Sequence, residues 1–170
     1  MYGYEIEAVP SSLSGTSVFA RFVDGLAFRY HWATEGLRDT DVDFRPGPDS
    51  MTLRQLLQHV LHLACMVEQT VMNASERRSV DIEDAAALRE RTLTILAEVR
   101  AFLDGLDDES FSEHRVLKRS GKLYPVWNIM NGPLADALTH VGQINAWRRL
   151  AGNPTPPADV FGGRPPRERG

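Results

Sequence analysis

The sequence predicts an all-α fold, a bundle of four long helices. Apolar residues recur at i, i+3, i+4 and i+7 in four long segments, and capping or helix-breaking residues bound each segment. A chain of 170 residues is long enough for one domain with a sizeable core. We therefore expect a single domain over residues 1–170, with its core at about 14–152 and a C-terminal tail at 153–170.

The first three helices are predicted at about residues 14–37, 52–73 and 82–103. Ser14 is a plausible cap for helix one, and Thr52 with Gln55 forms the capping-box pattern that opens helix two. Gly105 suits the end of helix three. A charged turn at 75–78 separates helices two and three.

The last part of the chain is less regular before its final helix. Residues 116–125 fit a short hairpin with Gly121 in its turn, and the alternative is an irregular segment. Helix four is predicted at 131–152, with Pro133 in the first turn, where a missing N–H costs nothing. The tail from 154 to 170 is rich in Pro, Gly and Arg, so we expect it to be extended.

Charge and composition argue against several classes of partner. The net charge is −4, from 19 basic and 23 acidic residues, which gives no basic excess to hold nucleic acid or an anionic membrane. No apolar stretch approaches the roughly 20 residues of a membrane span. The lone cysteine, Cys65, cannot form an intrachain disulfide, and the N-terminus shows no signal-peptide pattern, so we expect a cytoplasmic protein.

Helix four carries an acid and an imidazole one turn apart. Asp136 and His140 lie at i and i+4, so their side chains reach the same point. On a helical wheel they fall on the same side as Gln143, Ile144 and Trp147. If that side faces the bundle interior, the carboxylate requires a partner, because burying an unpaired charge costs several kcal/mol.

His59, on the edge of the apolar stripe of helix two, is the nearest partner by residue type. Two imidazoles and one carboxylate suit a divalent ion such as Zn, Ni, Fe or Mn and leave positions open for water or substrate. A buried hydrogen bond between Asp136 and His140 explains the pair without metal. So does an ion pair of Asp136 with Arg148 or Arg149.

Three other features have two interpretations each. His31 and Glu35 also lie at i and i+4, as a second candidate metal pair or an exposed polar pair. Cys65 is more typical of a packing residue than of a nucleophile. The aromatic-rich segment 123–130 lines a pocket or a dimer surface, or it caps the core.

The chain resembles the DinB/YfiT-like superfamily of four-helix bundles. Two phrases carry the resemblance: Leu53-Arg54-Gln55-Leu56-Leu57-Gln58-His59-Val60 and Thr139-His140-Val141-Gly142-Gln143-Ile144. The similarity covers about residues 14–151. It implies an up-down-down-up-type arrangement of the four helices.

The resemblance also implies a metal site. Members of that superfamily typically hold a divalent metal with three histidines, one from helix two and two from an H-x-x-x-H pattern on helix four. His59 and His140 match two of these positions, and Asp136 stands in place of the remaining histidine. The site therefore either survives with altered charge and affinity or is a relic without metal.

Two functions follow as expectations. The first is a metal-dependent enzyme, a transferase that uses a low-molecular-weight thiol or a related hydrolase, in which Gln143, Trp147 and Arg148 support the metal or contact a small-molecule substrate. The second is a non-catalytic bundle that binds a ligand or partner protein and has a degenerate metal site. The resemblance also implies a homodimer.

Overall fold

The computed structural model describes residues 1–6, 9–76, 80–118 and 120–167. It confirms the predicted all-α architecture of four long helices. The helices are α1 (Gly15–Thr34), α2 (Leu53–Val71), α3 (Ala85–Asp104), the short α4 (Asp108–Ser112) and α5 (Ala135–Leu150), and the strands are β1 (Arg115–Leu117) and β2 (Leu123–Pro125). Of the charged turn predicted at 75–78, Arg77 and Arg78 lie outside the described residues.

Side-chain caps set where the first three long helices, α1, α2 and α3, begin. Ser14 and Ser17 form a capping box at the start of α1, and Thr52 and Gln55 form the predicted one at α2. Asp84 accepts a hydrogen bond from a backbone N–H in the first turn of α3, which starts that helix three residues later than expected. These contacts satisfy N–H groups that have no partner within the helix.

The bundle core forms where α3 and α5 pack against both α1 and α2. This arrangement places α1 and α2 on one diagonal and brings α2 next to α5. The α2 stripe provides much of the buried surface, with Leu53, Leu56, Leu57, Val60, Leu61, Ala64 and Val67. Among the described helices, none is long and apolar enough to cross a bilayer.

The predicted hairpin is present. β1 pairs antiparallel with β2, and Val116 lies opposite Tyr124. Gly121 takes a left-handed conformation in the turn, with φ of 80°, and its N–H donates to the Lys118 carbonyl. Arg119, at the tip, lies outside the described residues. Since the hairpin also contacts α2, one of its faces lies against the bundle.

The chain enters α5 through a π-helical segment, Met130–Leu134. The prediction of a continuous helix from residue 131 is wrong, because Gly132 adopts φ −96° and ψ −112° and interrupts the helical path. The α-helix begins at Ala135, and Pro133 lies in the π-helical segment rather than in the first α-helical turn. As a result, Asp136 lies in the first turn of α5.

The C-terminal tail turns back on itself instead of remaining extended. An isolated bridge joins Asp159 and Arg164 and closes this turn. The Ile6 N–H donates to the Gly163 carbonyl at 2.9 Å, so the tail packs against the N-terminal segment. Residues 168–170 lie outside the described ranges.

Candidate metal centre

The packing of α2 against α5 brings the three predicted ligands together. His59 projects from α2, and Asp136 and His140 project from successive turns of α5. The Asp136 carboxylate lies between the two rings, with Oδ2 at 3.5 Å from His59 Nε2 and Oδ1 at 3.3 Å from His140 Nε2. Within the described part of the chain, this is the one group of three such side chains whose donor atoms all lie within 4.8 Å of one another.

Gln143 fixes the orientation of the His140 ring. Its side-chain oxygen lies 2.7 Å from His140 Nδ1. An amide oxygen only accepts, so Nδ1 carries the proton and donates, and Nε2 of the neutral ring presents a lone pair. A histidine that donates one nitrogen in this way is typical of metal sites, because the hydrogen bond sets both tautomer and ring direction.

The lone pair of His140 Nε2 therefore faces the Asp136 carboxylate, which is itself an acceptor. Two acceptors at 3.3 Å require a cation or a proton between them. In a tetrahedral site with metal–ligand bonds of about 2.0–2.1 Å, neighbouring ligand atoms are roughly 3.3 Å apart. The two contacts, 3.3 Å to Oδ1 and 3.5 Å to Oδ2 of the same carboxylate, are close to that spacing and longer than a strong charge-assisted hydrogen bond. The residues thus fit a divalent ion.

The group lies at the edge of the bundle and not in its interior. The side chain of Asp136 is 49% exposed, that of His59 39% and that of His140 14%. Asp136 does not face the interior, because the buried stripe of α5 is centred on a neighbouring face, at Ala137, Val141 and Arg148, with Ile144 at its boundary. Water and small molecules therefore reach the carboxylate directly, while His140 is held in place.

The structure assigns Arg148 a different place from the one expected. Its side chain is buried, and its guanidinium donates to the backbone carbonyls of Ala33, Glu35, Gly36 and Asn153. It lies eight residues beyond His140, about 12 Å along the helix. Because its donors are used within the fold, the predicted contact between Arg148 and substrate is wrong.

Trp147 is half-buried and packs against the hydrophobic core. It lies two helical turns beyond His140, about 10 Å along α5. No hydrogen bond or ring contact links it to the three candidate ligands within the described ranges. Its predicted role at the metal or substrate stays a prediction.

The second candidate pair, His31 and Glu35, is occupied by a cation of the protein itself. The Arg89 guanidinium contacts the carboxylate of Glu35 and lies 3.3 Å from His31 Nδ1. Burial lowers the pKa of His31, and the neighbouring Arg89 lowers it further. His31 is buried instead of exposed, and the pair is explained without metal. Cys65 lies in the core, as expected for a packing residue.

A cavity of about 390 Å³ adjoins the ligand group and contains residues that the sequence did not reveal. Asp136 forms one part of its wall, and Lys118, Tyr124 and Asn128 form another. Val116 in β1 and Lys118 directly after it are two residues apart, and such a pair lies on one face of an extended segment; this spacing was the available signal. The segment 123–130 therefore has two of its predicted roles, as a pocket wall and as a cap on the core. Tyr124 and Asn128 line the cavity, and Val126 and Ile129 enter the core.

Comparison with known proteins supports the fold. No family model matches the sequence, and no curated protein matches it significantly. Among solved structures, the chain is similar to YfiT from Bacillus subtilis, described as a probable metal-dependent hydrolase with an unusual four-helix bundle topology. The match has a TM-score of 0.61 at 13% identity and covers 89% of this chain and 99% of that one. The predicted DinB/YfiT-like bundle is therefore confirmed as a fold.

Proposed function

We propose that this protein is a divalent-metal-dependent hydrolase that acts on a small molecule. The observation that carries the proposal is the convergence of His59, Asp136 and His140 beside an open cavity, at spacings that suit a shared ion. The structural likeness to YfiT, described as a probable metal-dependent hydrolase, supports it.

Each residue has a distinct role in this proposal. His140 is the fixed ligand, because Gln143 holds its ring and most of its side chain is buried. His59 and Asp136 are more exposed and adjust to the ion. A bound divalent ion supplies Lewis acidity, which lowers the pKa of water or a thiol and provides a nucleophile at neutral pH. Because the Asp136 carboxylate is half-exposed, the coordination position for this nucleophile is open to the cavity.

The thiol-transferase alternative uses the same ligands and differs in the nucleophile. Cys65 is buried in the core, so the thiol comes from a separate low-molecular-weight molecule. The non-catalytic alternative treats the same three residues as a hydrogen-bond network in which a proton replaces the ion. Metal content separates that network from both enzymes, and a requirement for added thiol separates the transferase from the hydrolase.

The first test is elemental analysis of protein purified without chelators. We expect near-stoichiometric Zn, Ni, Fe or Mn, and its loss in His140→Ala. His62→Ala is the matched control, because this histidine lies on α2 outside the ligand group and we expect it to leave the metal content unchanged.

The second test is thermal stability. A ligand at a hundredfold excess over its Kd stabilises the native state by about 2.7 kcal/mol. For a domain of this size, that corresponds to a rise in Tm of roughly 5–10 °C. The wild type should gain this increment from at least one divalent ion, and His140→Ala should not. Metal-free protein with no gain from any of these ions supports the non-catalytic network.

We also propose the homodimer that the resemblance implies. Val18 and Phe22 lie one turn apart on α1, and both side chains are substantially exposed. A dimer interface on this face of α1 would cover their apolar surface. Sedimentation velocity of wild type and Phe22→Ser tests it: the wild type should sediment as a dimer and the variant as a monomer. The cytoplasmic location stays a prediction, which fractionation of the source cells tests.

A further inference from the structure

The cavity beside the metal centre is lined by chemically different groups from three parts of the chain. Asp136 lines it, together with Pro133 from the segment that precedes α5. The hairpin contributes Tyr124 and, directly after β1, Lys118. Leu63 and Met66 of α2 provide apolar surface. A ligand in this cavity therefore meets an apolar surface, a carboxylate and a cation.

Lys118 is available to a ligand. Its ammonium lies 5.7 Å from the centre of the Tyr124 ring, and the ammonium of Lys122 lies 4.8 Å from the same ring. Within the described ranges, neither lysine has a carboxylate partner. An anion that enters the cavity therefore finds a positive charge that the protein does not already neutralise.

Two amides complete this wall. Asn128 and Asn131 line the same cavity, and neither side chain forms a hydrogen bond to any described residue. Each carries an NH₂ group that donates to an anionic oxygen. The single ammonium of Lys118 balances the one charge of a carboxylate, and the two amides donate to its oxygens.

The dimensions follow from α2. Leu63 and Met66 lie four and seven residues beyond His59, about 6 and 10 Å along the helix axis. The cavity thus extends one to two turns away from the metal centre. A ligand that reaches from the metal centre along this stretch of α2 is a small molecule with an apolar body of about that length.

We propose that the cavity binds small carboxylates, with the carboxylate at Lys118, Asn128 and Asn131 and the apolar body on Leu63 and Met66. One part of this inference rests on the proposed function: the end of the ligand opposite to its carboxylate is the end that lies next to His59, Asp136 and His140. The substrate class is therefore a carboxylate-bearing molecule whose hydrolysed bond lies several ångströms from its charge.

The test measures binding to full-length protein from which EDTA has removed metal. The probes are 4-phenylbutyrate and 4-phenylbutyramide, which differ in charge but little in shape. We expect the carboxylate to bind roughly fivefold more tightly than the amide, the scale of an exposed ion pair. In an NMR titration, the side-chain NH₂ signals of Asn128 and Asn131 should shift, and those of Asn145, which does not line the cavity, should not.

Lys118→Met should weaken 4-phenylbutyrate binding about twofold to fivefold and leave 4-phenylbutyramide unchanged. Lys122→Met is the matched control, because it removes the same charge from the same aromatic ring but lies outside the cavity wall. Equal binding of the two probes, or equal weakening by the two substitutions, overturns the proposal. The assay contains no metal, so its outcome is independent of the metal proposal. If the protein prefers the carboxylate but never binds a divalent ion, the carboxylate site is supported and only the proposed hydrolase function is wrong.

Discussion

Replacement of Arg148 tests whether this arginine supports the fold or the reaction. Its side chain is 1% exposed and joins three parts of the molecule. The guanidinium donates to the Ala33 carbonyl at 2.9 Å, to Glu35 at 2.7 Å and to Gly36 at 3.2 Å, at and beyond the end of α1. It also donates to Asn153 at 3.1 Å, after α5. We predict that Arg148→Met is strongly destabilising.

The magnitude follows from the acceptors left behind. The Ala33 carbonyl is buried with this bond, and an unsatisfied buried acceptor costs about 1–3 kcal/mol. The other three contacts are partly buried, so water replaces some of their energy. Hydrogen bonds to a charged group contribute about 1.5–3 kcal/mol, so we adopt a total loss of roughly 2–4 kcal/mol. At roughly 2–4 °C per kcal/mol, Tm should fall by about 4–16 °C.

Urea denaturation measures this loss, with Arg149→Met as the matched control. Arg149 is the adjacent residue, it is exposed, and its replacement removes the same charge, so its effect should stay within about 0.5 kcal/mol. If Arg148→Met does not fold, Arg148→Lys provides a graded loss, since an ammonium cannot reach all four carbonyls. Equal midpoints for the Met variants at 148 and 149, with a lower kcat/KM at 148 alone, would refute the structural assignment.

Three further predictions concern the metal centre and acid stability. Gln143→Leu removes the acceptor of His140 Nδ1, so zinc affinity in a chelator competition should fall about tenfold or more, while the unfolding midpoint of the metal-free protein should change little. Asp136→Asn keeps the shape but removes the charged ligand, and it too should weaken zinc at least tenfold; an unchanged affinity would exclude the carboxylate as a ligand. Burial raises the pKa of Asp41, but hydrogen bonds from Arg38 and Asn153 outweigh it and lower the pKa from 3.8 to about 2. The depressed pKa stabilises the fold above about pH 4, and that stability is lost as the pH falls towards 2. Asp41→Asn should reduce this dependence in urea midpoints measured across the window, while Asp107 and Asp108, whose pKa values are also lowered by hydrogen bonds, keep part of it. A slope identical to wild type would contradict the assignment.

Local signals in the sequence predicted most of the architecture. The caps at Ser14 and Thr52 depend on residues three positions apart, so they were readable directly. The hairpin turn at Gly121 was equally local. The π-helical entry to α5 was not, because Pro133 is compatible with a first helical turn, and only the backbone angles of Gly132 show that the helix is interrupted there.

The ligand group was predictable, and the direction it faces was not. Asp136 and His140 were paired by helical spacing, and His59 by its place at the edge of a strong apolar stripe. Helix α5 has few large apolar residues, so its wheel does not define which face is buried. Its core face includes Arg148, whose burial depends on carbonyls more than a hundred positions earlier in the chain. No local pattern carries that information.

Asp136 also connects the metal centre to the choice of ligand. The Asp136 carboxylate adds a negative charge to the wall of the cavity. Two carboxylates about 4 Å apart repel each other by roughly 1–4 kcal/mol between bulk water and a protein surface. A carboxylate ligand is therefore disfavoured beside Asp136 and favoured beside Lys118, which lines the same cavity. In the proposed binding mode, Asp136 thus sets which end of an anionic molecule reaches the candidate ion.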